Sequence, residues 1–415
     1  MTVDRPVAVT GFGVVTPIGI GRTSFAEGLR SGACGVAPIT LFDASAYRSQ
    51  VAAEVSGDVI AAARESSLAS GITVSRRYGR AAQFATAAVA EALHHAGLHA
   101  EDLGDSETGL ALGGSTAGTL EAEAVMLEVD DGEGFWREVS NLQLLLAPVG
   151  STADILAAGM GLGGPVTTIS TACSSATNAI GQAMRWIRSG RCTRVIAGGA
   201  DSLTRLTHAG FNSLSLVDRE RPLPFDARRD GMVIGEGAAF FVLEDEARAR
   251  ARGAQLHGRV LGYGAIAEAH HLVQPRGDGD GAARAMGLAL ADAGVETDRV
   301  DYINAHGTAT PHNDAAEGRG IVSVLGRRSQ AVPVSSTKSQ VGHLLGASGA
   351  VELAACVVAM NEGFLPPTAG WAERDPEIPL EDFVAGGARP AQVEHCLSNS
   401  FAFGGNDASL CLGRV

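Results

Sequence analysis

Residues 168–181 read Thr168-Ile-Ser-Thr-Ala-Cys173-Ser-Ser-Ala-Thr-Asn-Ala-Ile-Gly181. Just before the turn, Val166 to Ile169 is short and rich in β-branched residues, the pattern of a buried strand. After it, Ala176, Ala179, Ile180, Ala183, Met184 and Ile187 recur at helical spacing. Cys173 therefore falls on a strand-to-helix turn, near unsatisfied backbone N–H groups and the positive end of a helix dipole. That environment predicts a lowered thiol pKa and a thiolate nucleophile. Ala172, Ser174 and Ser175 are small enough to admit a substrate carbonyl. The competing reading is a buried core cysteine, the commoner fate of a free thiol.

The rest of the 415 residues is long enough for two compact units or one double-layered body. Val7 to Gly19 is a strand entering a glycine turn. It lacks the third glycine of a dinucleotide fingerprint, because Thr16 stands in its place. Ser75 to Gly97 reads as one alanine-rich helix with Arg76, Arg77 and Arg80 in its first turns. Leu110 to Gly118 is a strand ending in Gly-Gly-Ser-Thr-Ala-Gly, and Glu128 to Glu138 reads as a surface loop or cap. A strand, turn and helix around Lys338 repeats the pattern around Cys173, with Ser335-Ser336-Thr337 echoing Ser170-Thr171. The chain thus divides into two related α/β halves, 1–256 and 257–415, that bury strands on both faces.

The net charge of −14 argues against partners recognised by bulk positive charge, namely nucleic acid and anionic membrane. No apolar run reaches the length of a membrane span, and no signal-peptide layout precedes the first strand. The six cysteines carry no CxxC pair, which speaks against a zinc site or disulfide framework and for a reducing cytoplasm. Lysine occurs once, as Lys338, and offers a titratable point charge that arginine does not.

Three further turns carry chemistry-bearing residues among small neighbours. They are Asn304-Ala-His306-Gly-Thr-Ala-Thr-Pro311, Ser335-Ser-Thr-Lys338-Ser-Gln-Val-Gly-His343 and Asn399-Ser-Phe-Ala-Phe403-Gly-Gly405. The first two follow predicted strands, where α/β sheets build their sites, and the third lies near the C-terminus. With Thr171-Ala-Cys-Ser-Ser175 in front, these motifs resemble, in order and over nearly the whole chain, β-ketoacyl-acyl carrier protein synthases of the elongating type. The resemblance implies a thiolase-like α/β fold, with the duplicated halves packed as a five-layer αβαβα sandwich.

It also implies a decarboxylative Claisen condensation. Cys173 would carry the acyl group, and the backbone N–H groups of Cys173 and Phe403 would form an oxyanion hole. His306 and His343 would bind the malonyl thioester carbonyl and promote loss of CO2. Lys338 and Glu317 match the family's buried ion pair, and Asp314 falls on the same pattern. Phe403, Gly404 and Gly405 match a gating loop, and Thr308, Thr310, Thr116 and Phe211 match substrate-contacting positions. Substrates would arrive on the phosphopantetheine of an acyl carrier protein, with no other cofactor and no metal. Arg76, Arg77 and Arg80 align with a basic stretch used for carrier docking, the alternative being a solvated helix face.

The chain departs from the family pattern at Ala402, where a glycine is usual, which puts loop mobility in question. It departs again at Thr116, where fatty-acid enzymes often carry an isoleucine lining the acyl channel. Both departures lean toward ketosynthases of reducing type II polyketide systems, including the aryl-polyene kind. The family pairs through the strand beside its nucleophile helix, so a homodimer or a heterodimer with a chain-length-factor-like subunit is expected. Three rival readings compete with this one, and the intact Cys173, His306 and His343 set disfavours the third, a carrier-protein binding module without turnover. A thiolase would carry a second cysteine in the C-terminal glycine loop, where this chain has Phe403-Gly404-Gly405-Asn406. A non-catalytic partner subunit would typically lack the nucleophile.

Overall fold

A computed structural model describes residues 5–128 and 141–415; the predicted loop or cap over Glu128 to Glu138 falls almost entirely outside them. The first half contributes strands β1 (Val7–Thr16), β2 (Thr108–Gly113), β3 (Val166–Ile169), β4 (Arg194–Asp201) and β5 (Gly237–Asp245). The second contributes β6 (Gly258–Ala267), β7 (Tyr302–Asn304), β8 (Val334–Ser335), β9 (His395–Ser400) and β10 (Asn406–Gly413). Side by side, the first half runs β3-β2-β4-β5-β1 and the second runs β8-β7-β9-β10-β6. In each half the second strand pairs parallel with its two neighbours, and the remaining pairs are antiparallel. The same strand order with the same senses is a structural duplication. Antiparallel pairing of β1 with β6, Val7 opposite Val260 and Val9 opposite Gly258, joins the halves into one path.

Helices α1 (Arg80–Ala96), α2 (Ser175–Arg188), α3 (Asp280–Ala293), α4 (Pro311–Leu325) and α5 (Ser348–Glu362) complete the layers. Three apolar cores separate them. One packs α1 on the outer face of the first sheet, through Leu110, Leu112, Ile196, Phe240 and Val242. The middle core buries α2 and α5 between strands of both halves, through Phe241, Leu243, Leu410 and Leu412. The third packs α3 and α4 on the second sheet, through Ile303, Val334, Leu397 and Cys411. Neighbours such as Phe240 and Phe241 enter different cores because successive strand residues face opposite sides. The result is the αβαβα sandwich.

The glycine-rich start of each half now has a packing reason. A Cβ on Gly11 or Gly13 would fall 2.3 Å from the Ala92 carbonyl oxygen or 2.1 Å from that of Ala88, both on α1. In the second half, Gly262 and Gly264 stand equally close to Ala289 and Ala285 of α3. The glycines let an alanine-faced helix lie directly on the strand.

Two predicted elements are corrected. The strand expected to be buried, β3, lies at the sheet edge with Val166 exposed and the rest half-buried, because only one side of it is paired. Helix α1 begins at Arg80, not Ser75. The Ser75 hydroxyl accepts the Arg77 N–H and the Tyr78 N–H bonds the Ser75 carbonyl, which closes a turn before Gly79.

Candidate active site

Cys173 lies between β3 and α2, and Lys338 lies at the equivalent place between β8 and α5. His306 follows β7, His343 follows the short helix Lys338–Val341, and Phe403 lies in the turn joining β9 to β10. The duplication places Cys173 and Lys338 after equivalent strands of the two halves, and His306 and Phe403 after the adjoining strands β7 and β9. Ala172, Ala309 and Leu345 all adopt left-handed backbone near them, with φ of 50°, 66° and 51°. Non-glycine residues hold that conformation only when their surroundings over-determine it.

The side chains meet. Sγ of Cys173 and the ring nitrogens of His306 and His343 lie within 4.8 Å of one another. His343 Nε2 is 3.1 Å from the sulfur, and the Phe403 N–H also points at it. The imidazoles stand edge to face with centroids 5.4 Å apart, and Phe401 packs on His306.

Hydrogen bonding assigns the tautomers. The Leu345 N–H can only donate, and it reaches His343 Nδ1 at 3.3 Å. Nδ1 is thus an acceptor, and the neutral ring carries its proton on Nε2. Lys338 Nζ lies 3.2 Å from His306 Nδ1 and sets the same tautomer there. Burial first, then the Lys338 charge, holds both imidazoles well below their usual pKa, so both stay neutral at physiological pH. The outcome is two Nε2–H donors beside one sulfur. By distance alone the trio could ligate a metal, but the Lys338 ammonium on His306 opposes a second cation there.

The predicted lowering of the Cys173 pKa is overturned. Burial pushes the thiol up to about 12, against the smaller opposing effects of the Lys338 charge and the Phe403 N–H. Helix α2 begins at Ser175, two residues past the sulfur, and desolvation of the buried thiol outweighs its dipole.

The expected Lys338–Glu317 pair is also overturned. Lys338 pairs with Glu352 on α5, both side chains 2% exposed. Glu317 instead accepts the N–H groups of His306 and Gly307, each at 2.8 Å, and the Asn399 amide. It fixes the His306 backbone rather than the ammonium. Asp314 accepts the Phe225 and Ala309 N–H groups and so holds the adjacent turn. Glu352 was missed because it sits in an otherwise apolar helical run; a lone carboxylate there, near the only lysine, was the available signal.

A cavity of about 270 Å3 opens onto the trio, lined also by Thr308, Thr310, Phe403, Gly404 and Gly405. The Thr308 and Thr310 hydroxyls lie 2.8 Å apart. Ala402 has φ −127° and ψ 152°, an ordinary extended conformation in which alanine is unstrained. Phe211 packs against Phe403 with ring centroids 5.6 Å apart and planes tilted by 36°, and does not itself line the cavity. Nor does Thr116, whose hydroxyl bonds the Ser202 carbonyl.

The basic stretch separates. Arg77 is exposed, and Arg76 is exposed and pairs with Asp58. Arg80 turns inward and forks onto the fully buried Glu236, with Nε 2.7 Å from Oε2. Its guanidinium is committed to the fold, which removes it from the docking set.

Comparison with known proteins follows the same outline. Residues 4–249 match the family model for the beta-ketoacyl synthase N-terminal domain, and residues 257–372 match that for its C-terminal domain. The chain is 38% identical over 419 residues to a 3-oxoacyl-[acyl-carrier-protein] synthase 2 of Synechocystis, covering 99% of this chain and 98% of the relative. A solved structure of the ishigamide ketosynthase/chain length factor superposes with a TM-score of 0.92 at 35% identity, with full coverage of both chains. A second superposes at 0.90 with 28% identity and full coverage. It is a type II PKS acyl-carrier protein in complex with its ketosynthase bound to the hexaketide. Among the described residues no helix is long and apolar enough to cross a membrane.

Proposed function

The chain belongs to the beta-ketoacyl synthase family, and on that premise we propose that Cys173, His306 and His343 are its condensing machinery. It is an acyltransferase that elongates chains with malonyl-derived units, in fatty-acid or type II polyketide synthesis. Substrates reach the cavity on the phosphopantetheine of an acyl carrier protein, past Thr308 and Thr310 and under the Phe403 loop.

In the first half-reaction the Cys173 sulfur attacks the acyl thioester and the pantetheine thiol leaves. One thioester replaces another, and the cysteine proton ends on the departing thiol. The oxyanion of the tetrahedral intermediate lies against the N–H groups of Cys173 and Phe403.

In the second, malonyl thioester binds with its carbonyl oxygen between the two Nε2–H groups. The C–CO2 bond breaks, its electron pair forms the enolate, and the two neutral imidazoles stabilise the charge without transferring a proton. The enolate carbon attacks the acyl-cysteine, a C–C bond forms, and the sulfur leaves as a thiolate that takes up a proton from solvent. The product is a 3-oxoacyl thioester. Every group these steps use is a side chain or peptide N–H, so the scheme calls for no metal or redox cofactor.

The ketosynthase/chain-length-factor and carrier-protein assemblies among the similar structures support a dimer of like or unlike chains, met by an acidic carrier protein. A cytoplasmic location fits the unpaired cysteines. The observation that carries the reading is the convergence of Sγ and two ring nitrogens within 4.8 Å. Intact-mass measurement after incubation with a panel of acyl carrier proteins tests it. The expected result is one acyl adduct on Cys173, released on addition of malonyl carrier protein. No adduct with any acyl donor defeats the reading.

A further inference from the structure

The last residue of β4, Asp201, is fully buried. Its carboxylate accepts peptide N–H groups from two separate turns. Oδ1 receives Ser115, Thr116 and Ala117 at 2.9, 2.7 and 2.8 Å, and Oδ2 receives Gly346 at 2.7 Å. The first three belong to the loop that leaves β2 in the first half. Gly346 belongs to the turn after His343 in the second. Among the described residues these amides are its hydrogen-bond partners, a nest of peptide dipoles around one carboxylate.

Each turn leads to a reacting group. On one side, Ser115 donates its hydroxyl to the Ala172 carbonyl at 2.8 Å, and Ala172 is the left-handed residue before Cys173. On the other, Gly346 follows Leu345, another left-handed residue, whose N–H sets the tautomer of His343. The two turns are in close contact at this point. A Cβ on Gly346 would stand 2.6 Å from Ser115 Oγ and 2.7 Å from Asp201 Oδ2. The second half repeats the device, with Glu317 holding the His306 and Gly307 N–H groups after β7 as Asp201 holds those after β2.

We propose that Asp201 is a positioning residue for the condensation: its carboxylate ties the nucleophile turn of one half to the histidine turn of the other and so sets the Cys173–His343 separation. It touches neither substrate nor sulfur. The inference rests on the proposed roles of Cys173 and His343. Burial pushes the Asp201 carboxyl up to about 6, and the four amides oppose that rise. At pH 7.5 and above it is mainly the ionised acceptor this role requires.

The test compares wild type, Asp201→Asn and Ser115→Ala at pH 7.5, in the full chain with its partner subunit if it has one. Cys173 acylation and malonyl carrier-protein decarboxylation are assayed separately, and each rate is divided by the folded fraction from thermal melting. Asp201→Asn preserves size but turns a donor toward donors. It is expected to lower kcat at least tenfold with KM for the carrier protein within twofold. Ser115→Ala cuts only the link toward Cys173 and is expected to slow acylation severalfold more than decarboxylation. Wild-type kcat in folded Asp201→Asn, a loss confined to KM, or equal loss of both half-reactions in Ser115→Ala overturns the inference. Should Asp201→Asn not fold, the Ser115→Ala ratio decides alone. A wild type that neither acylates nor decarboxylates defeats the functional reading instead, so the two failures are distinguishable.

Discussion

His343 Nε2 stands 3.1 Å from Cys173 Sγ while the other nitrogen of the ring accepts the Leu345 N–H. The imidazole is therefore held as a donor toward whatever occupies the space above the sulfur. On the proposed assignment the donors to the malonyl carbonyl are separate from the nucleophile, so Cys173→Ala is expected to abolish acyl transfer yet retain malonyl decarboxylation. His343→Ala should keep acyl loading detectable and lower decarboxylation about 100-fold, the usual loss for one preorganised donor. Acyl adducts by intact mass and CO2 release measure the two; a Cys173→Ala enzyme that still condenses contradicts the assignment.

The buried thiol makes a second prediction. With its pKa raised to about 12, Cys173 is almost wholly protonated at neutral pH. Its alkylation by iodoacetamide should keep rising with pH beyond 9, where an ordinary thiol with a pKa near 8.5 levels off. Peptide-resolved alkylation rates between pH 6 and 10 give the profile. A plateau near pH 7 would mean that the helix end, not burial, governs this sulfur.

Lys338 and Glu352 separate stability from rate. Glu352→Gln leaves a buried ammonium without its carboxylate and should cost about 3–5 kcal/mol in denaturant unfolding. Replacing both partners, with Lys338→Met and Glu352→Leu, should restore most of that stability. The double variant nevertheless loses the donor on His306 Nδ1, so decarboxylation should fall roughly 10–100-fold. Full activity in a stable double variant would show that Lys338 serves only the ion pair.

The convergence of Cys173, His306 and His343, the proposed machinery, was legible because each sits in a short local turn at the end of a strand or short helix. Duplication was legible as an echo between Ser170-Thr171 and Ser335-Ser336-Thr337, and it appears in full as one strand order used twice. The Lys338 partner was not, because Glu352 lies on the following helix and only the fold turns it inward. The thiol pKa went astray for a related reason. Sequence locates a helix end, whereas desolvation depends on side chains from both halves closing over it. Arg80 looked like a third member of an exposed run until its partner, 156 residues away, came to lie beneath it.

Glu317 supplies a pH test. Burial raises its carboxyl from 4.5 to about 7. Between those values the folded chain keeps a proton that the unfolded chain has lost, so this residue's contribution to stability falls as pH rises. Relative to Glu317→Gln, which cannot ionise, wild type should lose about 3 kcal/mol between pH 4.5 and pH 8. Urea unfolding of both proteins across that range measures the difference. A constant offset would mean that Glu317 does not titrate there.

Arg76, Arg77 and Arg80 look alike in sequence but should respond differently to substitution. Arg80→Ala strips the counter-charge from the fully buried Glu236 and should destabilise the chain by about 3–5 kcal/mol. Arg76 and Arg77 are exposed, so reversing both charges should cost under about 1 kcal/mol. If this surface receives the acidic carrier protein, that double reversal should weaken carrier binding severalfold at low salt, and the deficit should shrink as salt screens it. Titration of apo carrier protein by calorimetry at two ionic strengths reads the effect. Unchanged low-salt affinity with an intact fold would place carrier docking on another face.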